Sequence, residues 1–239
     1  MYVLRIASLS VVAAAAVWGC GSNPDGPSQT NNRMTFFVTS ATSMTGNVGG
    51  LRGADATCQR LATAVGAGSR TWRAYLSADQ DPDNGNRPTD ARSRIGAGPW
   101  VNVNGVTVAT SLADLHAKTG NADVFITEQG QKVNGQWAGS PSPVQHDIMT
   151  GSNADGTLMP GLTCNSWTSG SADVLGQVGH SDGLGPGGST AGALASWNST
   201  TQNEGWKIAS SVAREAIEAA GAAARGGVAA IGVRVGRVP

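Results

Sequence analysis

Asp79, Asp81, Asp83 and Asp90 occupy the first, third, fifth and twelfth places of a run that contains Asn84 and Gly85. Alternating carboxylates closed by a terminal acid are how a loop wraps a hard cation such as Ca2+, which takes about six to eight oxygen ligands. Here the glycine falls one place late, Pro82 interrupts the run, and the last ligand is Asp in place of Glu. The segment reads as an acidic solvated loop, with calcium binding as the alternative; no other cofactor is expected. His116, His146 and His180 are too scattered for a local metal motif such as H-E-x-x-H. Asp147 and Asp182 lie near two of them, but no G-x-S-x-G anchors a nucleophilic triad. His146, Asp147 and Asp155 instead read as polar groups that knit long loops, whose buried backbone must be hydrogen-bonded. No catalytic residue is expected. Gly183-x-Gly185-x-x-Gly188 has the spacing of dinucleotide-binding glycines, yet it holds Pro186 and follows no predicted strand, so it reads as a loop. Trp137, Trp167 and Trp197 are the candidate ligand-binding residues, since exposed Trp often anchors an interface; core or loop anchors are the other reading.

Elements must position these groups. Met34 to Ser40 is a β-rich run, followed by the turn-prone Gly46-Asn47-Val48-Gly49-Gly50. Ala54, Cys58, Leu61, Ala62 and Val65 recur at helical spacing, with Gly66 suited to end the helix. Trp72 to Leu76 and Ala122 to Thr127 read as strands, and Val101 to Val108 as a hairpin around Asn104-Gly105. From Gly130 to Thr201 the chain is mostly loop. These elements predict an α+β domain with a small twisted sheet and long Gly/Trp-rich loops.

Both ends differ from this middle. Ile6 to Trp18 is a 13-residue apolar stretch after a single early Arg. A spanning helix needs about 20 apolar residues, so this is a signal segment over residues 1–19. Cys20 follows at its end, as in the lipobox of bacterial lipoproteins, although bulky Trp18 departs from that pattern; an ordinary secretory signal is the alternative. Lipid attachment is expected at Cys20, with residues 20–33 a flexible tether and the domain spanning 34–206. Gly21 in place of Asp suits carriage to an outer membrane. Residues 207–239 hold ten Ala, five Gly and five Val and no aromatic residue. So abrupt a change is what a reading-frame change in a GC-rich gene would produce, or an unusual native extension. Residues 207–225 can form a helix, and residues 226–239 are expected to be poorly ordered.

Composition excludes some classes. The 239 residues carry 16 Lys+Arg against 16 Asp+Glu, and charged residues make up only 13%. With no basic run to neutralise phosphates, nucleic acid is not an expected partner. An apolar content of 40% with seven Trp suffices for a core, which excludes disorder throughout.

Several runs together carry a resemblance. They are Phe37-Val38-Thr39-Ser40, Gly46 through Gln59, Thr71 through Ser77, Ala91 through Gly96 and Gly98-Pro99-Trp100. Trp137-Ala138-Gly139, His146 through Ser152, Thr163 through Ser169 and Trp197-Asn198-Ser199 complete the set. In this order and spacing the chain resembles the bacterial endostatin-like, C-type-lectin-like surface lipoproteins over roughly residues 35–205. The resemblance implies a C-type-lectin-like fold with a binding role. It also implies that the Cys positions matching Cys58 and Cys164 pair with two others near the C-terminus. This chain has Trp206 near where the first would fall and no later Cys, which leaves the last strand of the fold open to loss. Trp197-Asn198-Ser199 lacks the Asp of the calcium-binding lectin strand, so sugar binding through that calcium site is not implied.

The resulting expectation is a non-catalytic surface lipoprotein, anchored in the bacterial outer membrane, that binds an extracellular protein or glycan. An envelope-associated hydrolase with a loop-borne His/Asp/Ser site and a structural envelope protein are the alternatives.

Overall fold

Phe36–Val38 forms strand β1, buried at all three positions, and opens a computed structural model that describes residues 33–43, 45–171, 173–200 and 233–236. Helix α1 (Gly50–Ala64) follows and buries Leu51, Ala54, Cys58, Leu61 and Ala62 on one face. Val65 and Gly66 close it, Gly66 taking a φ of 79° that a residue with a Cβ adopts only at a cost.

The polar face of α1 completes strand β2 (Trp72–Ala74). Gln59 accepts the Trp72 amide at 3.1 Å, and Asp55 accepts the Ala74 amide at 2.8 Å. Edge amides that would otherwise lack partners are thus satisfied by helix side chains. Asp55 also holds Arg94 at 2.8 Å and Arg73 at 3.1 Å.

The opposite edge of β2 meets the end of the chain. Strand β9 (Val233–Gly236) lies between β1 and β2, antiparallel to both. Val235 stands opposite Phe36 on one side and Arg73 on the other. This supplies a strand where the resemblance had left the last one open to loss, and it corrects the expectation that residues 226–239 are poorly ordered throughout. The domain also draws on residues beyond Trp206. Val233-Arg234-Val235 alternates as a strand does, which neither depends on a cysteine nor requires an aromatic. The expected helix at 207–225, the signal segment and Cys20 lie outside the described residues.

The other strands come in antiparallel pairs: β3 (Ala78–Asp81) with β4 (Arg87–Thr89), β5 (Trp100–Val101) with β6 (Thr107–Ala109), and β7 (Asp147–Met149) with β8 (Val178–His180). Helix α2 (Leu112–His116) is capped by the Ser111 hydroxyl, and α3 (Cys164–Trp167) is a single turn. The architecture is α+β, as expected. Ala122 to Thr127 is not a strand. Asn121 accepts the amides of Val124 and Phe125 on its carbonyl and that of Asp123 on its side chain, folding the segment into a turn. The segment's end meets β1 through one isolated parallel bridge between Thr127 and Val38, in which the Val38 amide donates to the Ile126 carbonyl at 2.9 Å.

Two apolar clusters fill the interior. One lies under α1 and includes Cys58, Trp72, Cys164 and Trp167. The other gathers Phe36, Tyr75, Trp100, Phe125 and Trp197. Among the described residues no helix is long and apolar enough to cross a membrane.

Candidate functional site

The turn α3 is wound left-handed. Cys164, Asn165, Ser166 and Trp167 have φ of 48°, 55°, 54° and 66°, and none is glycine. Each such residue costs about 1–2 kcal/mol relative to the right-handed form. Surrounding bonds hold the run in place. The Cys164 amide donates to Leu175 and the Trp167 amide to Thr163, both at 2.7 Å. The Trp167 indole donates to the Ser77 carbonyl at 2.7 Å, and Ser166 N donates to the Thr163 hydroxyl at 3.0 Å.

Beside this turn runs an open groove of about 200 Å3, lined by residues that include Gly49, Arg52, Gln80, Asn86, Asn165 and Ser166. Its exposed lining is mostly apolar, with the amides of Gln80, Asn86 and Asn165 and the hydroxyls of Ser166 and Thr168 set along it. Arg52 ion-pairs with Asp83, and that bond holds the Asp83 carboxyl below the usual carboxylate range.

The candidate calcium ligands do not converge, which corrects that alternative. Asp79 accepts from the Gly161 amide at 3.0 Å and the Thr163 hydroxyl at 2.5 Å, thereby buttressing α3. Asp81 accepts from the Asp83 amide at 2.9 Å and from Thr89 at 2.8 Å, capping the turn between β3 and β4. Asp83 faces Arg52, and Asp90 accepts from the Leu158 amide at 2.7 Å. Each carboxylate serves a different segment of backbone or side chain.

Two of the three candidate Trp residues are also corrected. Trp167 and Trp197 are fully buried, and their indole N–H groups are spent inside, on Ser77 and on Leu115. Trp137 is half-buried on the loop after Gly130, its N–H donating to Val133 at 2.9 Å and the Lys132 ammonium 5.0 Å from its ring centre.

The histidines behave differently from the sequence expectation. His116 stays apart, its Nε2 2.8 Å from the Tyr75 hydroxyl. His146 and His180 come together because β7 and β8 pair. Asp147 stands directly opposite His180 in that register, and His146 enters β7 one residue earlier. The two imidazoles are stacked, with centroids 4.6 Å apart and planes 3° from parallel. Both rings are almost wholly buried, whereas the Asp147 side chain is 34% exposed.

Each imidazole is tethered through Nδ1. His146 Nδ1 lies 2.6 Å from Asp182, and His180 Nδ1 lies 2.8 Å from the Leu194 carbonyl. A carbonyl only accepts, so the His180 Nδ1 carries a proton, and in the neutral ring its Nε2 presents a lone pair. Burial pushes the Asp182 carboxyl up, but the His146 bond and the Gln136 and Leu184 amides outweigh it and leave the carboxyl below its ordinary value. As a carboxylate it accepts from His146 Nδ1, so in the neutral ring the His146 Nε2 is likewise open. Both Nε2 atoms lie 3.5 Å from Asp147 Oδ1. Ligand atoms of His146, Asp147 and His180 lie within 4.8 Å of one another, a set that can hold a cation. Sequence spacing hid this cluster; the one legible signal was that two of the three histidines have an Asp close behind them, at Asp147 and Asp182.

The family described as Protein of unknown function (DUF1554) matches residues 41–183, more than half of the chain. The match takes in α1, α3, the groove and His146, and stops just past Asp182. No curated protein matches the chain.

Proposed function

The chain belongs to that family of unknown function, and we propose that it is a surface lipoprotein whose C-type-lectin-like domain binds an extracellular protein or glycan without catalysis. In this reading Cys20 carries the lipid, residues 20–33 form the tether, and the outer membrane holds the anchor. The observation that carries it is the left-handed run Cys164–Trp167 at the wall of the groove. Backbone strain of this kind persists only where surroundings over-determine it, and it concentrates at ligand clamps and similar sites. A mostly apolar lining with a few amide and hydroxyl groups is the kind of surface on which hydrogen bonds fix a partner's orientation. The hydrolase alternative has less behind it: His146 Nε2 faces the Asp147 carboxylate, where a triad would set a serine hydroxyl.

Immobilised full-length protein, presented to a glycan array and to extracellular matrix and serum proteins, tests the reading. A specific ligand is expected whose binding falls at least tenfold in Asn165→Ala and Gln80→Ala and is retained in Trp137→Ala. Loss confined to Trp137→Ala would move the site to the loop after Gly130. Absence of any saturable ligand would remove the binding role.

A further inference from the structure

The geometry points to a site for a divalent transition metal ion, Zn2+ foremost, made by His146 Nε2, His180 Nε2 and Asp147 Oδ1. Three independent features carry it.

The first is donor spacing. Each Nε2 lies 3.5 Å from Asp147 Oδ1, longer than the roughly 2.7–3.2 Å of an N–H···O hydrogen bond. Ligands about 2.1 Å from a tetrahedral Zn2+ stand about 3.4 Å from each other. Those two separations fit an ion between each imidazole and the carboxylate better than a proton, and the whole donor set lies within 4.8 Å.

The second is how the imidazoles are supported. Ligating histidines characteristically donate their other ring N–H to a carboxylate or a backbone carbonyl, which sets tautomer and aim. His146 donates to Asp182 and His180 to Leu194. Asp182 is itself held by the Gln136 amide at 2.7 Å and the Leu184 amide at 3.0 Å. Gly135 packs so closely on this carboxylate that a Cβ there would collide with it. Neither ring can flip to expose Nδ1 without abandoning its tether. Because the rings are parallel, converging both lone pairs on one ion takes a tilt of each ring about its Cβ–Cγ bond.

The third is the chemistry of the donor set. Two imidazoles and one carboxylate suit borderline ions such as Zn2+, whereas Ca2+ and Mg2+ favour all-oxygen shells. Three protein ligands leave a fourth position, on the partly exposed side marked by Asp147, for water or a donor atom of a bound molecule. An ion there would tie β7 and β8 to the segments around Asp182 and Leu194.

The test uses the full chain, extracted in mild detergent, stripped with chelator and dialysed against Zn2+ or Co2+. One Zn2+ per chain is expected at micromolar affinity or better. Co2+ should develop the intense visible bands of a four-coordinate site. Asp147→Asn, at a partly exposed position and nearly isosteric, should weaken Zn2+ at least tenfold while the metal-free protein keeps its circular dichroism. Asp182→Asn should weaken it about 10- to 100-fold by releasing His146, and His180→Gln should abolish the Co2+ bands. If His180→Gln fails to fold, Asp147→Asn decides. Absence of stoichiometric Zn2+, undiminished affinity in Asp147→Asn, or Ca2+ bound in preference to Zn2+ would each overturn the site.

Discussion

The indole N–H of Trp197 donates to the carbonyl of Leu115 at 2.7 Å, fastening the last described loop to the end of α2. The ring packs on Tyr75 at 4.7 Å and on Phe125 at 5.6 Å between centroids. Trp197→Ala should therefore lower the unfolding free energy by about 3–5 kcal/mol. Trp137→Ala, on a half-buried loop ring, should cost under about 1.5 kcal/mol. Urea denaturation of the two variants checks the contrast, and equal losses would place Trp137 in the core.

His116 confers a pH dependence of known sign. Its Nδ1–H donates to Leu112 at 2.8 Å, so Nε2 accepts from the Tyr75 hydroxyl. Burial holds its pKa below the ordinary value, Arg92 adding to the effect while the Leu112 bond opposes it. The unfolded chain then binds the proton more readily than the folded one. The stability gained from neutral His116 is complete above about pH 6.5 and is lost as the pH falls through the folded-state value. Denaturation midpoints at pH 8, 7, 6 and 5 should drop toward acid, and less steeply in His116→Gln. Parallel profiles would assign the dependence to other groups.

Strand β9 makes backbone pairs on both sides, so its amides are needed whatever its side chains do. Val235→Pro removes one such donor and should cost about 1–3 kcal/mol, the penalty of a ladder partner left unsatisfied. Hydrogen exchange of the wild-type chain should find slow amides within 233–236. Fast exchange there would return the C-terminal segment to the disordered state expected from its composition.

Cys164 is a free thiol buried beside Gly46, and burial pushes its pKa up to about 11. At pH 8 roughly one molecule in a thousand would carry the reactive thiolate. Iodoacetamide should leave Cys164 unmodified in the native protein and alkylate it promptly in denaturant. Rapid native labelling would mean that α3 opens readily.

What could be read along the chain was local. α1 announced itself through apolar spacing and Gly66, and the β5–β6 hairpin through Asn104-Gly105, because the physics of each lies within a few residues. The groove and the histidine cluster are not local. Cys164–Trp167 carries no glycine to advertise a left-handed turn, and its conformation is imposed by Leu175, Thr163 and Ser77. His146 and His180 meet only through the register of β7 on β8. The run from Asp79 to Asp90 resembled a cation loop because aspartates that cap turns share its composition; their partners, Gly161, Thr163, Thr89 and Leu158, decide the matter. β9 was legible as alternating Val233-Arg234-Val235, but the surrounding Ala and Gly masked it.

The position of β9 also sets the order in which the molecule can assemble. β1 and β2 are neighbours in sequence, yet they meet only across a strand that leaves the ribosome about 160 residues after β2. Until residue 236 has been delivered, the sheet has a gap at its centre and both flanking strands have open inner edges. The three-stranded sheet therefore closes only once synthesis has reached β9, which makes its closure a late event of assembly.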